Sequence, residues 1–487
     1  MAEKLKILFI ANELAPLTGT GELAEVINSL PQALVNLGVD IRIVIPKYQL
    51  IDEKKYPQKL LTKIKVGFAD KIEDADIYTL NLPPASPHFT TAIPVYLIHK
   101  PQYLNLPKIT SLQDIGFQNS KDALLTYTFF AKAILECWKD IDWAPDLFHC
   151  HNWQTAILPL LNKLTEKPRP TLLTIHNLNQ QGEFPSDLVL GLLGQDLLKI
   201  PSIEHRLADY DTINCLEQGI LHADLINATS PAYATETLTP EFGYGLEKVL
   251  LKRRPQLFGI LNGINTERFN PETDLLIKHN YLITNLDGKL KNKKELQSEI
   301  KFKINAELPI ICMVSHLTGQ RGLDILLPAL KKLAKEKAQF VFLGTGEPKY
   351  EKALGHFNNK KNIFVKIGVD ETLAHQIYAA SDFFLLPSKF EPCGLGQMMA
   401  MRYGALPIVR STGGLKDTVT EIGPDEGTGF LFSAFDKNSL LKTVERALLL
   451  YRTDKIAWQK AQIRAMGQDF SWTKSAKKYL ELYHSLV

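Results

Sequence analysis

The stretch Asp382-Phe383-Phe384-Leu385-Leu386-Pro387-Ser388-Lys389-Phe390-Glu391-Pro392-Cys393-Gly394-Leu395-Gly396-Gln397 decides how the rest of the chain is read. Asp382–Pro387 is a short apolar run without polar alternation. It fits a strand buried on both faces of a parallel sheet. The segment after it carries an acid and then glycines, and it opens a helix. In open α/β sheets, ligands bind beyond the carboxyl ends of the strands. A carboxylate at Glu391 can accept hydrogen bonds from sugar hydroxyls, and amides at a helix start can face a phosphate. A plain helix-capping role for Glu391 is the competing reading.

Similar apolar runs extend outward from this one. They are Leu5–Ala11, Asp40–Pro46, Thr171–His176, Asp224–Thr229, Pro309–Ser315, Gln339–Gly344 and Asn362–Gly368. Helical periodicity separates several of them. In Glu22–Leu37 the residues Leu23, Val26, Ile27, Leu30, Leu34 and Leu37 form one stripe, and Pro31 is expected to kink or break that helix. Ile325–Ala334 and Ser439–Leu450 have the same pattern. This alternation predicts an α/β fold with open parallel sheets. A Gly- and charge-rich stretch, 241–255, precedes a new strand-like run at Leu257–Leu261. The expected organisation is therefore one domain at 1–255, a second at 256–465, and a terminal segment at 466–487. In that segment Trp472, Ala476, Tyr479, Leu480, Leu482 and Tyr483 mark an amphipathic helix.

Two domains suit a chain of 487 residues, 45% of them hydrophobic and 22% charged. A formal net charge of +3 gives no reason to expect nucleic acid or an anionic membrane as a partner. Cys137, Cys150, Cys215, Cys312 and Cys393 lie far apart with no metal or redox spacing, which reads as reduced thiols in a cytoplasmic protein. The apolar run near the N-terminus stops at Asn12 and Glu13, too short for a secretory signal. No run approaches the roughly 20 residues a membrane helix needs.

Other strand ends carry polar chemistry. Asn12 to Glu22, including Glu13, Thr20 and Gly21, follows the first strand and opens the first helix. It either lets backbone approach an anion or is a mobile loop. His176 and Asn177 end another strand, where a satisfied structural histidine is the plain alternative. His316 and Arg321 follow the first strand of the second domain. Arg321 can hold a pyrophosphate bidentately, or it is a solvated surface arginine. Turn chemistry alone explains Gly344-Thr345-Gly346-Glu347-Pro348.

At these residues the chain resembles bacterial and plant glycogen and starch synthases, retaining glucosyltransferases that use ADP-glucose. The resemblance runs over nearly the whole length. It is carried most specifically by Pro387–Leu395, by Arg402–Arg410 and by Thr412-Gly413-Gly414-Leu415-Lys416-Asp417-Thr418-Val419. Further matches are Gly259–Ile264, which includes Asn262, Thr239–Gly245, and Phe470-Ser471-Trp472. The resemblance implies the GT-B fold: two Rossmann-like domains facing a deep cleft, with the last helix crossing back onto the first domain. It implies that His176 and Asn177 face the sugar and that Glu391 binds glucosyl hydroxyls. It places Cys393, Gly394 and Leu395 at the pyrophosphate, Thr412, Gly413 and Gly414 near it, and Arg321 where the family has a phosphate-binding lysine. Glu13, Thr20, Gly21, Asn262 and His316 complete the implied substrate site. The implied partners are ADP-glucose, or another nucleotide-glucose, and an α-1,4-glucan. No cofactor or metal is implied.

The chain departs from the family at several of these places. Lys-Thr-Gly-Gly-Leu of the family is Gly19-Thr20-Gly21-Glu22-Leu23 here, so a lysine is lost and an acid gained. Asp-Trp-His is Asn152-Trp153-Gln154, and Ser-Arg-Leu-Thr is Ser315-His316-Leu317-Thr318. The family's Asp after Asn-Gly-Ile is Asn265, its Thr after Cys-Gly-Leu is Gly396, and Val369 stands where an aromatic is expected near adenine. Three functions fit: an active glycogen synthase in which a protonated His316 helps Arg321, a catalytically impaired paralogue that binds or regulates glucan, or a glucosyltransferase with altered donor preference.

Overall fold

A computed structural model describes residues 4–19, 21–84, 91–104, 120–139 and 141–487. Thr20 therefore lies outside the described residues. The chain divides into two compact units. Unit 1 comprises residues 1–229, 234–263 and 472–487, and unit 2 comprises 230–233 and 264–471. These divisions fall somewhat later in the chain than 255/256 and 465/466.

Unit 1 is built on strands β1 (Lys6–Ile10), β2 (Asp40–Pro46), β3 (Lys59–Phe68), β4 (Lys71–Leu82), β5 (Ile93–His99), β6 (Leu147–His151), β7 (Thr171–Ile175), β10 (Leu225–Ala228) and β11 (Leu257–Gly259). They form one sheet in the order β11-β10-β7-β6-β1-β2-β5-β4-β3, while β8 (Glu183–Pro185) and β9 (Thr212–Asn214) pair separately. The strands from β11 to β5 are parallel, and β4 runs antiparallel to both β5 and β3. The parallel strands β6 and β7 are buried along their whole length. Edge strand β3 alternates between exposed and buried residues and carries lysines, the pattern of a sheet with one wet face and a protected edge.

The helix Glu22–Asn36 runs through Pro31 as one element instead of ending there. Leu23, Val26, Ile27 and Leu30 before the proline, and Ala33 and Leu34 after it, are all buried in the unit's core. Packing on both sides offsets the roughly 3 kcal/mol that an interior proline costs. The terminal segment forms the helix Trp472–His484. Its Trp472, Ala476, Tyr479, Leu482 and Tyr483 join that same core, so unit 1 is completed by residues from the far end of the sequence.

Unit 2 holds a six-stranded sheet in the order β14-β13-β12-β15-β16-β17, with every pairing parallel. The strands are β12 (Ile310–Val314), β13 (Gln339–Gly344), β14 (Ile363–Ile367), β15 (Phe383–Leu386), β16 (Leu406–Arg410) and β17 (Phe430–Phe432). Helices Leu323–Leu333 and Lys437–Thr453 present apolar faces to it. Within unit 2 the two crossing segments pair: Ile264 N–H donates to the Phe470 carbonyl at 2.8 Å. Among the described residues no helix is long and apolar enough to cross a membrane.

Candidate active site

In unit 2 the loops after β12, β15 and β16 meet. Glu391, fully buried, lies five residues past the end of β15. Its Oε2 accepts from the Arg321 guanidinium, in an ion pair, and from Ser388 Oγ at 3.0 Å. Its other oxygen, Oε1, is buried without a hydrogen-bond partner. A buried carboxylate oxygen left without a donor is costly to fold around. No capping bond from Glu391 to the helix Gly396–Arg402 is seen, so the carboxylate is spent on Arg321 and Ser388. Arg321 is mostly buried against this acid, not a solvated surface arginine.

The loops interlock through glycine. Gly414 N–H donates to the Glu391 carbonyl at 3.0 Å. A Cβ on Gly413, whose φ is +44°, would lie 2.0 Å from that same carbonyl oxygen, and one on Gly414 would lie 2.0 Å from the Cys393 carbonyl. Only glycine allows Thr412-Gly413-Gly414 to cover 391–393 this closely. Gly394, at φ +74°, turns the chain into the helix, and Leu395 precedes the first helical residue. Cys393 and Thr412 are buried beneath. Lys389 N–H donates to the Gln320 carbonyl at 2.8 Å, tying the Arg321 loop to the Glu391 loop.

His316 sits on that loop with its side chain accessible to solvent. Partial burial, then the nearby Arg321 charge, lower its pKa below the ordinary 6.5, although a bond to the Thr345 backbone opposes this. That direction works against the expected protonated His316, although the exposed side chain weakens the burial contribution. Val369 is 82% exposed just past β14.

In unit 1, Glu13 follows β1 and its carboxylate accepts the Ala24 N–H in the first turn of the helix Glu22–Asn36. Burial dominates over that bond and raises its pKa from 4.5 to about 7. The carboxylate lies against Gly19: a Cβ there would be 2.7 Å from Glu13 Oε2 and 2.8 Å from Ala24 Cβ. Gly21 is the helix N-cap. Asn262, 1% exposed, donates from Nδ2 to Glu22 Oε1 at 3.3 Å. The helix N-terminus expected to face an anion is therefore already flanked by two of the protein's own carboxylates.

His176 follows β7, its N–H bonded to Asn152 Oδ1 at 2.8 Å. Asn177 accepts from the Asn179 N–H at 3.1 Å, in a local turn. Sequence reasoning missed what lies beside them. His149 and His151 on β6 are both fully buried, and His151 Nδ1 is 3.0 Å from His176 Nε2. Burial holds all three rings below the usual histidine range, His176 at about 3. The signal was present as His149-x-His151, a spacing that puts both rings on one strand face. The polar side chains disguised the strand.

Two family models match the chain, starch synthase catalytic domain over residues 6–252 and glycosyl transferases group 1 over residues 295–463. It is 40% identical to a glycogen synthase of Geotalea daltonii over 99% of each chain. It is 39% identical to one of Moorella thermoacetica over 100% of this chain and 98% of the relative. Among solved structures it is similar to the catalytic domain of starch synthase IV from Arabidopsis thaliana bound to ADP and acarbose. The TM-score is 0.88 and the identity 30%, over 99% of both chains.

Proposed function

The chain belongs to the starch and glycogen synthase family of GT-B glycosyltransferases, and from that premise we propose that it transfers glucose from ADP-glucose to the non-reducing end of an α-1,4-glucan with retention of configuration. The observation that carries this reading is the buried Arg321–Glu391 pair with Glu391 Oε1 left unpartnered. That oxygen suits a hexose hydroxyl, while the ion pair holds the Arg321 guanidinium fixed beside it.

On this reading unit 2 takes the nucleotide sugar and unit 1 the glucan. Arg321, the amides of Gly394 and Leu395, and the loop Thr412-Gly413-Gly414 meet the diphosphate, with Cys393 packing beneath. His176 and Asn177 meet the sugar. Glu13, Gly21 and Asn262 are the further sugar contacts of this reading in unit 1, and a diphosphate beside His316 would raise its pKa. Departure of the nucleoside diphosphate develops negative charge, so fixed positive charge and amides lower the barrier. The same leaving group can take the proton of the incoming hydroxyl on its own face. The relative from Arabidopsis is described with ADP and acarbose bound, which supports a nucleoside diphosphate donor.

The test is transfer of radiolabelled glucose onto a glucan primer from ADP-glucose and, in parallel, from UDP-glucose. The expected result is incorporation from ADP-glucose. Incorporation from UDP-glucose alone would replace the donor, and none from either would overturn the reading.

A further inference from the structure

His151 and His176 share one short contact and two unpartnered atoms. His151 Nδ1 lies 3.0 Å from His176 Nε2, and neither His151 Nε2 nor His176 Nδ1 has a hydrogen-bond partner although both atoms are buried. Burial keeps both rings neutral at pH 7, so each carries one N–H. One of the two facing nitrogens must donate. If His176 donates, the lone N–H of His151 is stranded at Nε2. That ring is fully buried, stacked on Phe9 at 5.6 Å and against His149 at 4.1 Å between centroids. If His151 donates, its Nε2 holds only a lone pair, and the stranded N–H sits on His176, which ends β7 and is 8% exposed. Orphaned buried N–H groups are rarer than under-satisfied acceptors, and one at a strand end can be satisfied by a ligand.

We propose that His151 is a positioning residue that donates from Nδ1 to His176 Nε2 and so holds His176 as the Nδ1–H tautomer, with that N–H kept for an oxygen of the bound hexose. Its second half rests on the glucosyltransfer reading above. The row is anchored from behind. His149 is held between Thr174 Oγ1 and Tyr483 Oη, each at 2.8 Å, and Asn227 Nδ2 donates to Tyr479 Oη at 2.8 Å. Both tyrosines come from the helix Trp472–His484.

The tautomer is read directly by long-range proton–nitrogen NMR of histidine-labelled wild-type protein, with His176→Asn used for assignment. A protonated Nδ1 and bare Nε2 on His176 are expected, and the opposite pattern overturns the proposal. In kinetics, His151→Phe should lower kcat roughly 100-fold with little change in KM, the size of a misplaced reacting group. His151→Asn sets an amide N–H near the lost Nδ1–H and should recover most of that loss. Equal losses in the two variants at equal Tm would also overturn it. Should His151→Phe not fold, the spectrum of the wild-type protein and the kinetics of His151→Asn carry the test. Should the wild-type protein transfer no glucose, the functional reading falls, while the spectrum still decides the tautomer.

Discussion

The two groups of site residues handle charge in opposite ways. In unit 2 a full ion pair, Arg321–Glu391, is buried under glycine-tight loops. In unit 1 the histidine row is neutral, and the acids at the start of the first helix are held by the protein itself, Glu13 on the Ala24 N–H and Glu22 on Asn262. A neutral lining suits hydroxyl-rich sugar, which needs donors and acceptors more than charge. A guanidinium already fixed in place suits a leaving diphosphate, because its N–H groups need no reorganisation. Gly19 and His316 stand where the resemblance implies a lysine and an arginine, so on the proposed reading the electrostatic work falls on Arg321.

The contrast can be broken most sharply at Glu391. Glu391→Gln keeps the shape and removes the charge that holds Arg321. Transfer should fall by about 10³, the scale of losing a preorganised electrostatic contact, measured as initial rate of glucose incorporation. A loss under tenfold would show that the pair is structural only. Arg321→Lys keeps the charge and discards the planar fork. A drop of about tenfold to a hundredfold in kcat/KM is expected, and no drop would mean that charge alone suffices.

In unit 1 the expected effects are on stability. Glu13 has a folded-state pKa near 7 against 4.5 for the unperturbed group. A raised carboxylate pKa means that the folded state binds the proton more tightly. Glu13 therefore contributes least destabilisation below pH 4.5, and stability declines as pH rises to about 7. The decline is about 3 kcal/mol, read from denaturant midpoints across that window. Glu13→Gln should flatten it, and an unchanged slope would remove Glu13 as its source. The smallest effect is expected of Gly19→Ala. Its methyl meets Ala24 Cβ on a packed helix, costing about 1 kcal/mol in the same measurement. It follows that a lysine cannot be restored at position 19 without moving Glu13 or the helix.

Much of the fold was legible because buried parallel strands read as uninterrupted apolar runs. β13 and β2 fall within Gln339–Gly344 and Asp40–Pro46 as expected, and β15 within Asp382–Pro387. The hairpin β3–β4 was not, because one wet face filled it with lysines and acids. β6 was hidden because its buried side chains include two histidines. At the site, strand-end position singled out Arg321 and Glu391 separately, but their contact joins residues seventy apart in sequence, which no local pattern records. The Ser388 hydroxyl on Glu391 was likewise not legible, because nothing in the sequence marks it as more than part of the quoted stretch.

The helix Trp472–His484 has a consequence for how the protein is made. Its two phenols occupy sockets between strands that a ribosome delivers hundreds of residues earlier. Asn227 and His149 therefore gain these partners only after more than two hundred further residues have been joined to the chain.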